Sequence, residues 1–215
     1  MARRAGDAAY TRVAGGVGRP GMDRATRAPR LGKTAEVIEV LGNGNLGDLT
    51  AFLAIRAVGG DYPLVGSVAV DDPATPGASL AELLAPRDGI WGVVPDTLLL
   101  DKLGIGIGGR LTIGTAEFEV RGAIGGVPDQ ITQGMMLGIP VIVSVDALNA
   151  SGLLAPGVLA RYRYKILLDD PDVPAAVAAL RSGLPDAGWQ VNTPQDATAD
   201  LERFFNIFPR FLTIV

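Results

Sequence analysis

Apolar and polar side chains alternate with a period of two through TAEVIEVLG (residues 34–42), the mark of a strand with one buried face. AGDAAYTRVA (5–14) has similar strand character after a basic start, and GMDRATRAPRLG (21–32) reads as a short helix weakened by Pro29. GNGNLGD (42–48) is a cluster of turn residues, with LTAFLAIRAV (49–58) as the returning strand. The first sixty residues thus predict β-α-β-β.

From residue 60 the elements shorten. A brief strand within SVAVDDPATPG leads to SLAELLAP, a short helix with Ser79 at its N-cap. GIWGVVP predicts a strand, DTLLLDKLG a two-turn helix, and GRLTIGTAEFEVRGAIG a hairpin turning at Gly114–Thr115. IPVIVSV is another strand, followed by the short helix DALNASGLL. Longer elements then return: the strand ARYRYKILLDD, the helix DVPAAVAALRSG capped by Asp172, the strand GWQVNT and a terminal helix from PQDATADLERFFNIF. Two β-α-β segments around a β-rich stretch predict an α+β protein, a split α/β domain carrying an inserted module.

Charge alters this picture only at one end. The net charge is −4, yet residues 1–33 hold eight Lys/Arg against two Asp, while the remainder is strongly acidic. The basic segment could touch phosphates or anionic headgroups, against the plainer expectation of a solvated N-terminal region, and the acidic remainder argues against a nucleic-acid partner. There is no Cys and no His, which removes thiolate and imidazole zinc sites and both Cys–His and Ser–His–Asp catalysis. None of the five serines lies in G-x-S-x-G or S-x-x-K. The residues therefore nominate no catalytic group, no cofactor and no metal ligand.

Three motifs need weighing. Gly104, Gly106 and Gly109 satisfy G-x-G-x-x-G, but a dinucleotide fingerprint requires a strand before it and a helix after it. Here the order is helix then strand, so Gly104 reads as a helix C-terminal residue and Gly108 and Gly109 as the turn into the next strand. DDPD (169–172) could gather a cation, but it lacks a calcium-loop spacing and Asp172 serves as a cap; Asp71 and Asp72 before Pro73 read as turn residues. In RYRYKILL, alternation places Arg161, Arg163 and Lys165 on one face and Tyr162, Tyr164 and Ile166 on the other. That cationic face is the candidate partner-facing surface, set against the plainer expectation of a wet strand face.

The stretches IRAVGGDYPLVGSVAV, LGIGIGGRLTIGTAEFEVRGAI, VPDQITQGMMLGIPVIVS and ALNASGLLAPGVLARYRYKILL resemble the extracytoplasmic, MacB-like periplasmic core domain of FtsX/MacB-family ABC transporter permeases. Among its branches, the YbbP/LolC-like one is the most similar. The resemblance is strongest over residues 37–168. Ile139 and Arg110 depart from it, standing where relatives of that branch carry an arginine and an acidic residue.

The resemblance implies a porter-like α/β subdomain built from residues 1–59 and 161–205, with an inserted β-rich, sabre-like subdomain at 60–160. Residues 206–215 would begin a membrane helix, in keeping with the run of Phe204, Phe205, Ile207, Phe208, Phe211, Leu212, Ile214 and Val215. It also implies a non-enzymatic role in the periplasm or extracytoplasmic space, within a permease dimer of the inner membrane. A separate cytoplasmic ATPase subunit would drive it, and a periplasmic partner or lipid-like cargo would be handled outside the membrane. The alternatives are a free-standing, non-catalytic binding module of similar design and an enzyme using Asp170 and Asp172.

The glycine motif yields a direct test. Titration with ATP or NAD is expected to give no saturable heat, and micromolar binding abolished by Gly106→Val would overturn that expectation.

Overall fold

In the computed structural model, the described residues are 7–15, 32–71, 73–126, 138–155, 157–168, 172, 174–175, 178 and 190–192. Among them, the elements run in the order β1 (Asp7–Gly15), β2 (Gly32–Leu46), β3 (Leu49–Gly60), β4 (Ala69–Asp71), α1 (Leu80–Leu84), β5 (Trp91–Pro95), α2 (Thr97–Leu103), β6 (Arg110–Ile113), β7 (Ala116–Val120), β8 (Ala123–Gly126), β9 (Ile139–Ser144), α3 (Val145–Ala150), β10 (Leu159–Leu168) and β11 (Gln190–Asn192). The expected helix at 21–32 lies outside the described residues except for Gly32, which begins β2, and the helix from residue 194 onward and the expected start of a membrane helix lie outside them entirely. No helix among the described residues is long and apolar enough to cross a membrane.

Among the described residues, nine strands form one sheet in the order β11-β1-β10-β2-β3-β9-β5-β7-β6, and β6 also pairs with β2. That last pairing closes β2, β3, β9, β5, β7 and β6 into a ring, leaving β10, β1 and β11 as an open extension. β2 belongs to both parts. Its residues Gly32–Val40 pair with β10 and its residues Gly44 and Asn45 pair with β6, while β3 runs along the opposite edge. β4 and β8 make a separate two-stranded ladder.

The hairpin between β2 and β3 departs from the expected turn at 42–48. β2 continues to Leu46 and the reversal takes only Gly47 and Asp48. Gly42 and Gly44 are strand residues where neighbours approach the backbone: a Cβ on Gly42 would lie 2.9 Å from Ile55 Cδ1, and one on Gly44 2.8 Å from Leu53 Cδ1. In a strand, glycine marks such close packing as readily as it marks a turn. Asp71 likewise ends β4, opposite Ala123, instead of forming a turn.

The main core lies against one face of these strands. Ile38, Val40, Leu53, Ile55, Val93, Leu111, Phe118 and Val141 are buried together, and α2 and α3 add Leu99, Leu103 and Leu148. Tyr162, Tyr164 and Ile166 continue this core along β10. The other face of β2, β3, β9 and β5 presents Val37, Val58, Ile142 and Val94, which α1 covers with Leu83 and Leu84. Helix α1 begins with a full capping box. The Ser79 hydroxyl accepts from the Glu82 amide, and the Glu82 carboxylate accepts from the Ser79 amide at 2.7 Å.

Two glycines with nearly the same backbone torsion separate conformational strain from crowding. Gly104 ends α2 at φ 64° with open space where a Cβ would stand. Gly114 turns the β6–β7 hairpin at φ 61°, but a Cβ there would meet the Ser151 carbonyl oxygen at 2.1 Å. That turn is docked on the end of α3, since the Thr115 amide donates to Ser151 O at 2.9 Å. Gly104→Ala is expected to destabilise by about 1 kcal/mol, the cost of the left-handed torsion. Gly114→Ala adds a clash with backbone and is expected to cost about 3 kcal/mol or more. Urea unfolding of the two variants checks the difference, and equal losses would contradict it.

Candidate functional site

Strand β10 alternates as its sequence predicts. Tyr162, Tyr164 and Ile166 are buried, Arg161 is exposed, and Arg163 and Lys165 are partly covered. Tyr164 donates through its hydroxyl to Glu36 Oε1 at 2.9 Å. The cationic face is not simply wet. Glu39, buried on the neighbouring strand, draws in Arg161 at 3.7 Å and Arg163 at 3.5 Å, and accepts from Arg56 Nη2 of β3 at 3.3 Å. Arg56 is as buried as Glu39, whereas the Arg161 side chain is 48% exposed.

Three guanidinium groups thus gather around one carboxylate. The described arrangement sets Arg161 at its outer rim, with Arg163 turned toward Glu39. Sequence alternation found the three cations on β10 but missed Glu39 and Arg56. A signal for them existed: a two-residue turn at Gly47–Asp48 places Arg56 directly opposite Glu39 in the hairpin.

Arg121 is a second buried charge that the sequence pattern does not reveal. It is among the most buried side chains in the described protein and pairs with Glu119 at 2.8 Å. Its guanidinium also donates to the carbonyl oxygens of Leu83, Ala85 and Ile90. It therefore satisfies the C-terminal carbonyls of α1 and ties that helix to the strand layer beneath. Glu82, at the other end of α1, is held below the ordinary carboxylate pKa by the Ser79 amide first, then by the Ser79 hydroxyl, with Arg87 adding its charge. A depressed carboxylate stabilises the fold above its unfolded pKa, and that contribution fades as pH falls through the folded value.

The glycine segment follows the helix-then-strand order. The Gly104 and Ile105 amides both turn back to the Leu100 carbonyl, ending α2. Gly108 N–H donates to Val120 O at 2.7 Å and Gly109 N–H to Gly106 O at 2.9 Å. The amides of Gly104, Ile105, Gly108 and Gly109 are thus committed to protein carbonyls. Asp172 accepts from the Ala175 amide at 3.0 Å, as a cap does, while Asp169 and Asp170 lie outside the described residues. Among the described residues, no group of three or more acidic side chains is placed to hold a metal ion.

The Glu39 cluster makes its members unequal. Glu39→Gln leaves buried Arg56 without its carboxylate and is expected to cost about 3 kcal/mol. Arg161→Ala removes a longer, half-exposed contact and is expected to cost less than about 1 kcal/mol. Denaturant midpoints of both variants measure this, and a loss at Arg161 matching that at Glu39 would refute the ranking.

No family model and no curated protein sequence matches the chain. Its fold, however, is shared with solved structures. The periplasmic region of MacB from Actinobacillus actinomycetemcomitans superposes with a TM-score of 0.57 at 11% identity, over 90% of this chain and 92% of that one. The extracellular domain of the ABC-type transporter YknZ from Gram-positive bacteria gives 0.56 at 10% identity, over 86% and 99%. A permease-assigned domain from Porphyromonas gingivalis gives 0.51 at 13% identity, over 88% and 89%. The chain thus has a mixed α+β, sheet-dominated fold that is similar, over most of its length, to the periplasmic region of MacB and the extracellular domain of YknZ.

Proposed function

We propose that this chain is the extracytoplasmic domain of an ABC transporter permease of the FtsX/MacB family. The observation that carries the reading is the extent of the shared fold: it takes in 92% of the MacB periplasmic region and 99% of the YknZ extracellular domain. The motifs around Tyr62–Gly66 and Gly104–Gly114 support the YbbP/LolC-like branch by their resemblance.

In this reading residues 1–59 and 161–205 are the porter-like subdomain and 60–160 the sabre-like one. Strand β3 would carry displacement between them, because it pairs with β2 on one side and, in parallel, with β9 on the other. The domain is non-enzymatic. It couples ATP-driven movement of membrane helices, powered by a cytoplasmic ATPase subunit, to handling of a lipoprotein, lipid or small molecule outside the inner membrane. The parent permease works as a dimer, and the β10 face of Arg161, Arg163 and Lys165 meets an acidic periplasmic partner chiefly through Arg161.

The lack of cysteine offers a clean test of this topology. Asp101→Cys on the exposed side of α2, placed in the full-length gene product, is expected to react with a membrane-impermeant maleimide in cells whose inner membrane is intact. The same product without the change supplies the background. Labelling that appears only after the inner membrane is lysed would overturn the proposal.

A further inference from the structure

An open cleft of about 420 Å³ lies between α1, the end of β3 and the start of α3. Its volume falls within the range of small-molecule sites. Its described lining includes two carboxylates, Glu36 and Asp146, and two aromatic rings, Tyr62 and Trp91; Leu80 and Val145 contribute apolar wall. No lysine or arginine is among its described lining residues. Glu36 already accepts the Tyr164 hydroxyl through Oε1 at 2.9 Å, and Asp146 opens the first turn of α3.

From this combination we propose that the cleft binds a small amphiphilic organic cation, an ammonium group on an aryl or alkyl body. The carboxylates supply charge complementarity for the head. Aromatic faces attract a cation through their quadrupoles, and the same rings accept an apolar body. Asp146 is exposed and Glu36 half-buried, so the head need not be fully desolvated to reach them. One wall is held in place beforehand. Arg121 fixes the carbonyls of Ala85 and Ile90, which directly precede the lining residues Pro86 and Trp91. A site whose wall is already fixed loses less ordering entropy on binding. The inference rests on the cleft alone and stands apart from the permease reading.

The probe is 3-phenylpropylamine, compared with the neutral 3-phenylpropanol and the anionic 3-phenylpropionate. Binding is followed by Trp91 fluorescence in a Trp189→Phe background, with ligand-observed NMR as a second readout. The amine is expected to bind saturably, about tenfold more tightly than the alcohol, and the carboxylate not at all. Glu36→Gln with Asp146→Asn should bring the amine down to the affinity of the alcohol while leaving the alcohol unchanged. Equal affinity for amine and alcohol, no saturable binding of the amine, or full amine affinity in the double variant would each overturn the proposal. The comparison of the three probes needs no variant, so it stands even if the double substitution disturbs folding.

Discussion

One strand edge serves two partners, and the architecture follows from that division. β2 gives its first nine residues to β10 and then two later residues, Gly44 and Asn45, to β6. Where β10 stops, the ring of six strands can close; were β10 to continue, β6 would have no edge to join. The residues between, Leu41 to Asn43, are paired with β3 alone. Glycine at 42 and 44 removes the side chains that would hold Ile55 and Leu53 away from the strand at this crossover. Ring closure and close packing therefore depend on the same short segment, and both faces of β2 acquire cores as a result.

The buried charges belong to the same scheme. A carboxylate in the middle of a shared strand is costly unless partners arrive from both neighbours. Glu39 receives Arg56 from β3 and Arg161 and Arg163 from β10. Its ion pairs thus span the junction between the ring and the open extension. Arg121 has the corresponding position within the ring, where it joins β7 to α1 through carbonyl oxygens that no apolar replacement would satisfy.

Much of this was legible as pattern. Alternation in β10, the Ser79 cap, the two-turn α2 and the hairpin at Gly114–Thr115 depend on local chemistry, which a sequence carries in full. The glycine motif was settled in the same way, because its meaning depends on what precedes and follows it. What the sequence hid was non-local. Gly42 and Gly44 look like turn residues until Leu53 and Ile55 are seen to need their space, and that misplacement also concealed the register joining Glu39 to Arg56. Arg121 gave no signal, since its carbonyl partners lie more than thirty residues away. The cleft draws on four separate segments and could not be read from any of them.

The short ladder between β1 and β11 has a mechanical consequence. The two strands are antiparallel, with Ala9 opposite Asn192 and Thr11 opposite Gln190, so the start of β1 and the end of β11 emerge at the same end of the sheet. Displacing both ends together carries the sheet as a rigid lever. Prising them apart loads three residue pairs in sequence, a peeling geometry in which each bond yields before the next bears force. The domain would thus pass on a common push while yielding at this edge to a spreading one.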